Sequence, residues 1–188
     1  MKLRSFAMPL LALLISLVSS AQPRVGKPDV YFGYSRAGAN LYNVYTPGMN
    51  GWQLAMHAHI KKVPFVGVEG DVSRYSADAG AGSQNVTLVM FGPRVTVGAM
   101  GFRVFAHGLG GVAHEWNDLV SFFPATSYNA VSYALGGGGE APLFLGLKLR
   151  ITGDYLGNSK APSSSYSPSH YRIGAGIAYH FYIRCDPN

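Results

Sequence analysis

The chain has 188 residues, with 15 Lys and Arg against 9 Asp and Glu, a net charge of +6, and one cysteine. A lone Cys185 rules out an internal disulfide framework, and basic residues scattered along the chain argue against a nucleic-acid surface. After the first 21 residues no apolar run approaches the ~20 residues that a membrane-spanning helix needs, so any crossing must use a closed sheet.

Residues 1–21 begin with Lys2 and Arg4, continue through an apolar run from Phe6 to Val18, and end on Ser19, Ser20 and Ala21. That order is the pattern of a cleavable secretory signal peptide, with the cut after Ala21. Loss of Lys2 and Arg4 lowers the charge from +6 to +4, an excess that favours anionic head groups. A short lead (22–28), a barrel domain (29–184) and a tail (185–188) follow.

Eight strands are predicted, at 30–36, 51–60, 65–75, 86–97, 102–114, 129–139, 143–155 and 170–182. The odd-numbered connections read as long: 37–50, 76–85, 115–128 and 156–169. Turn formers fill them, as in Thr46-Pro47-Gly48 and Ala161-Pro162-Ser163. The others are tight, at 61–64, 98–101 and 140–142. An even strand count with alternating long and short connections matches outer-membrane barrels, and it puts both ends of the mature chain in the periplasm.

Alternate residues of a strand point to opposite faces. The last strand has Tyr171, Ile173, Ala175, Ile177, Tyr179 and Phe181 on one face, and Arg172, Gly174, Gly176, Ala178 and His180 on the other. Trp52, Leu54, Met56 and Ile60 oppose Gln53, His57 and His59. Val66, Val68 and Val72 oppose Glu69 and Asp71, and Leu149 and Ile151 oppose Lys148, Arg150 and Asp154. Arg94, and Arg103 with His107, are assigned to the charged face; the first strand has a weak pattern. An Arg or Lys facing mid-bilayer from a barrel costs about 2–4 kcal/mol, so the charged parity must face the lumen. Eight strands leave room only for packed side chains. The expected lumen is an ion-paired plug of Glu69, Asp71, Arg94, Arg103, Lys148, Arg150, Asp154 and Arg172, with Glu140 at its margin. Large apolar residues are not expected beside those arginines.

Four strings carry a family resemblance: Met90-Phe91-Gly92-Pro93-Arg94, Leu135-Gly136-Gly137-Gly138-Gly139, Arg150-Ile151-Thr152-Gly153-Asp154-Tyr155-Leu156, and the run from Arg172 to Phe181. With the signal, the chain resembles the small bacterial outer-membrane β-barrels of the OmpA/OmpX-like type over nearly its whole length. The resemblance implies an all-β, eight-stranded antiparallel up-and-down transmembrane barrel in the cell outer membrane, with Arg94, Arg150, Asp154 and Arg172 inward. It also implies outer-membrane lipid and the barrel assembly machinery as partners. Members often end on a terminal Phe, whereas seven residues follow Phe181 here.

Catalytic and metal signatures are sparse. His57-x-His59 puts two imidazoles on one strand face, but spacing fixes no third ligand, and neither a metal nor another cofactor is assigned. His114-Glu115 lacks the second histidine of a zinc-protease helix. Ser169 with His170, or Ser121 with His114, has no spacing that supports a hydrolase. Trp116, Phe122, Phe123 and Tyr128 form an apolar cluster in the third long connection, a candidate interaction loop. The expected protein is a non-enzymatic monomer acting in envelope structure or surface interaction. A narrow passive channel is the first alternative; a lipid A-modifying enzyme or a secreted lipocalin-like carrier follows.

Overall fold

Eight strands are joined in sequence order: β1 (Val25–Leu41), β2 (Val44–Ile60), β3 (Val63–Asp78), β4 (Gly82–Ala99), β5 (Phe102–Leu119), β6 (Thr126–Pro142), β7 (Leu147–Asn158) and β8 (Ser169–His180). They come from a computed structural model, which describes residues 25–41, 44–60, 63–78, 82–119, 126–158 and 169–181. Each strand pairs antiparallel with the next. β1 closes the sheet on β8, from Asp29 opposite His180 to Ala37 opposite Arg172. Closure leaves no edge, so backbone polar groups are satisfied within the sheet as a bilayer requires.

The predicted alternation holds on every strand. Phe32, Met56, Phe91, Ile151 and Ile173 face outward and are exposed, while Tyr31, His57, Arg94, Arg150 and Arg172 face inward and are buried. The first strand, weak as a sequence, follows the same rule with Asp29, Tyr31 and Ser35 inward.

Two sequence expectations need correction. Paired strand extends into each of the four stretches expected to be long loops, so that only 42–43, 79–81, 120–125 and 159–168 lie between strands there. β1 runs to Leu41 and β2 resumes at Val44; β5 runs to Leu119 and β6 resumes at Thr126. The turn formers Pro47 and Gly48 leave a register shift in the β1–β2 ladder, between Ala37 opposite Met49 and Ala39 opposite Thr46, and pairing continues beyond it to Leu41 and Val44. The strands outrun the ~10 residues that cross a bilayer, and polar outward residues (Arg36, Asn50, Arg74 and Ser76) lie on the overhang. At the other rim, β7 starts at Leu147, four residues later than expected: Leu143 to Gly146 form the turn, with Leu145 and Gly146 at φ 52° and 81°. The β4–β5 turn has two central residues, Met100 and Gly101, with φ 54° and 86°, as a type I′ hairpin demands.

Candidate functional site: the barrel lumen

Inward residues are zoned along the barrel axis. At the loop end Ala37, Met49, Tyr75, Leu88, Met90, Leu109, Ala134 and Leu156 pack into an apolar layer. Large apolar residues therefore do share the lumen with the arginines, contrary to the sequence expectation. They are accommodated because they sit at a different height, and because aromatic rings stack on the cations. The Arg94 guanidinium carbon lies 3.7 Å from the centre of the Phe105 ring, and that of Arg150 lies 4.9 Å from the Tyr31 ring.

Below this layer a continuous polar chain crosses the lumen. Gln53 donates to Asp71 at 2.5 Å, and Arg172 donates to Asp71 at 2.9 Å and to Asp154 at 2.6 Å. His107 links Asp154 (2.8 Å) to Glu69 (3.1 Å) through its two ring nitrogens. Arg94 then bridges Glu69 at 2.7 Å and Glu140 at 2.9 Å, and Arg150 meets Glu140 at 2.6 Å. Arg94, Arg150 and Arg172 are at most 1% exposed. A charge buried so deeply is tolerated only when paired and hydrogen-bonded, and here each guanidinium faces a carboxylate donated by another strand.

Glycine makes this possible at Gly136, which lies opposite Asp154 in register; a Cβ there would collide with the Asp154 carboxylate. At Gly138 a Cβ would come within 2.8 Å of the Phe105 ring. Gly136 and Gly138 thus clear space for the ion pairs and the stacked ring.

The predicted lumen residues Glu69, Asp71, Arg94, Lys148, Arg150, Asp154 and Arg172 are all drawn inward and buried. Arg103 also points inward but sits at the turn-end rim, with its side chain 32% exposed and 3.6 Å from Asp29. Lys148 stands 3.9 Å from Glu140. Glu140, marginal in the sequence, is the hub between Arg94 and Arg150. Asp29 and Tyr31 escaped notice as lumen residues; the signal was the inward parity of Asp29-x-Tyr31-x-Gly33-x-Ser35, while Gln53 was placed on the inward face without its partner Asp71.

A vestibule of about 1010 Å³ opens at the turn end, lined by His59, Arg103, Lys148 and His180 and by the turn residues Met100 and Phe144. Of the proposed interaction loop, Trp116 belongs to the overhang of β5 rather than to a loop, and its ring faces outward, 56% exposed. Tyr128 falls in β6, with its side chain outside the description, and Phe122 and Phe123 lie outside the described residues. So do the signal segment, Ser121 and the tail from residue 182, as well as the side chains of Ser169 and His170. His114 points outward and pairs through Nδ1 with Asn129 Oδ1 at 2.8 Å.

An apolar exterior around an ionic interior defines a transmembrane β-barrel of the outer-membrane class. No family model and no curated protein sequence matches the chain. Solved structures do. Neisserial surface protein A superposes with a TM-score of 0.69 at 10% identity, covering 83% of this chain and 99% of that one. Ail, the attachment invasion locus protein of Yersinia pestis, gives 0.57 at 18% identity, with 82% and 99% covered. The outer membrane protein OprG from Pseudomonas aeruginosa gives 0.53 at 13% identity, with 83% and 96% covered. At these identities the likeness is one of fold, and it is the fold of small barrels seated in the bacterial outer membrane, as the resemblance implied. A lipocalin-like carrier, which needs a wet exterior, has the opposite polarity.

Proposed function

We propose that this protein is a closed outer-membrane barrel that acts in envelope structure or at the cell surface, with nothing passing through its lumen. The observation that carries this reading is the unbroken polar chain from Gln53 to Arg150, in which Arg94 and Arg172 each bridge two carboxylates of other strands and Arg150 meets Glu140. A permeating ion would have to displace these pairs and then cross the apolar layer of Met49, Leu88, Met90 and Leu109. Either barrier alone opposes conduction.

The overhanging strands support a surface role. They lift outward Arg36, Arg74 and Trp116 to the loop-end margin of the apolar belt, where contact with other molecules is available. Ail, of the same fold, has been solved in complex with the heparin analogue sucrose octasulfate. The reading is non-enzymatic. Purified protein reconstituted in planar bilayers tests it: no steady current is expected. A stable ohmic conductance would overturn it in favour of the narrow passive channel.

A further inference from the structure

The turn end of the lumen holds a second group of side chains that the ionic plug does not use. In register, Asp29 of β1 lies opposite His57 of β2 on one side and His180 of β8 on the other. All three face inward, and His59 stands two residues nearer the rim on the same face as His57. One carboxylate is thereby surrounded by three imidazoles from two neighbouring strands.

The distances are those of a ligand set. One donor atom each from Asp29, His57 and His59 can be chosen so that all lie within 4.8 Å of one another. His57 Nδ1 is 3.4 Å from Asp29 Oδ2, and the His57 and His59 rings meet edge to face with centres 4.3 Å apart. His180 Nδ1 touches Asp29 Oδ1. Asp29 and His57 are 1% and 2% exposed, yet His57 Nε2 and His59 Nδ1 are buried with no hydrogen-bond partner. Buried polar atoms are normally satisfied, so two orphaned imidazole nitrogens in one cluster need an explanation.

We infer that Asp29, His57 and His59 form a binding site for a divalent transition-metal ion of the zinc class, with His180 holding the Asp29 carboxylate from outside. Two imidazoles and a carboxylate suit zinc, copper or nickel and do not suit calcium or magnesium, which prefer all-oxygen shells. Three protein ligands leave a coordination position open, and the vestibule lined by His59 and His180 supplies the approach. A ligating carboxylate held by a further side chain, here Asp29 by His180, is a usual outer-shell arrangement of such sites. Arg103, 3.6 Å from Asp29, occupies the cation's electrostatic place; its partly exposed side chain can swing into the vestibule when a metal enters.

Isothermal titration of the folded protein in detergent with Zn²⁺ tests this, alongside the visible absorption of added Co²⁺. One ion per chain is expected. H59Q and D29N should each weaken binding at least tenfold, whereas R103Q, which removes the competing cation, should tighten it. H114Q/H170Q, which leaves the cluster intact, should bind as the parent does. Anomalous gel mobility before boiling confirms that each variant is folded. No binding by the parent would overturn the inference. So would unchanged affinity in folded H59Q and D29N, or loss of binding in H114Q/H170Q.

Discussion

Replacing Arg172 with Met is expected to destabilise the folded barrel by about 3–5 kcal/mol, the cost of breaking a buried ion pair from one side. Arg172 is fully buried and donates to Asp71 and Asp154 at once. Met fills similar volume but leaves two carboxylates without their shared cation. The lower end of the range is the expected value. His107 still reaches Asp154, and Gln53 and Ser73 still donate to Asp71, so neither carboxylate is wholly abandoned. Urea titration of folding into lipid vesicles, followed by gel mobility, reads the change. A loss below about 1 kcal/mol would show that the network does not hold the lumen together.

The second large effect is expected on the other face. Ile151 lies halfway along the outward stretch of β7 between Leu147 and Tyr155 and is exposed to acyl chains. Ile151→Arg should cost about 2–4 kcal/mol, because a charge is forced toward mid-bilayer. Tyr179→Arg, at the turn-end margin of the belt, should cost only about 0–1 kcal/mol. The contrast in depth is what distinguishes a lipid-facing belt from an ordinary wet surface: on a soluble barrel both substitutions would be nearly silent.

The fold was legible in the sequence wherever period-two alternation was strong. Arg172, Arg150 and Lys148 alternate with large apolar residues, and a one-residue slip would put every one of them in lipid. That single constraint fixed the face of β2, β3, β7 and β8. It fails at the ends of strands, where the overhang leaves the membrane and outward residues no longer need to be apolar. Residues 37–41 and 44–50 therefore read as loop, although the ladder continues through them. It also fails for Leu143, Phe144 and Leu145, whose apolar character suggested strand but which sit in a turn at the rim.

The lumen was half legible. Which charges point inward follows from parity, but which pair with which depends on the register of strands distant in sequence. Arg172 and Asp71 meet across 101 residues, and no local pattern announces that. The same gap hid the third member of the histidine cluster. His57-x-His59 was visible, whereas Asp29 becomes its neighbour only through the β1–β2 pairing. Phe105 beneath Arg94 was unexpected because size alone was weighed, without the attraction between a cation and a ring face.

Spin labels placed one at a time along β8 of a Cys185→Ser protein, reconstituted in lipid vesicles, probe the face assignment most directly. Labels at 173, 175 and 177 are expected to relax strongly with dissolved oxygen and weakly with a water-soluble nickel reagent, as acyl-chain contact requires. A label at 178, an inward position between 177 and 179 that already carries a Cβ, should be shielded from both. Nickel accessibility at 173, 175 and 177, or oxygen accessibility at 178 equal to that at 177, would contradict an apolar belt enclosing a sealed ionic core.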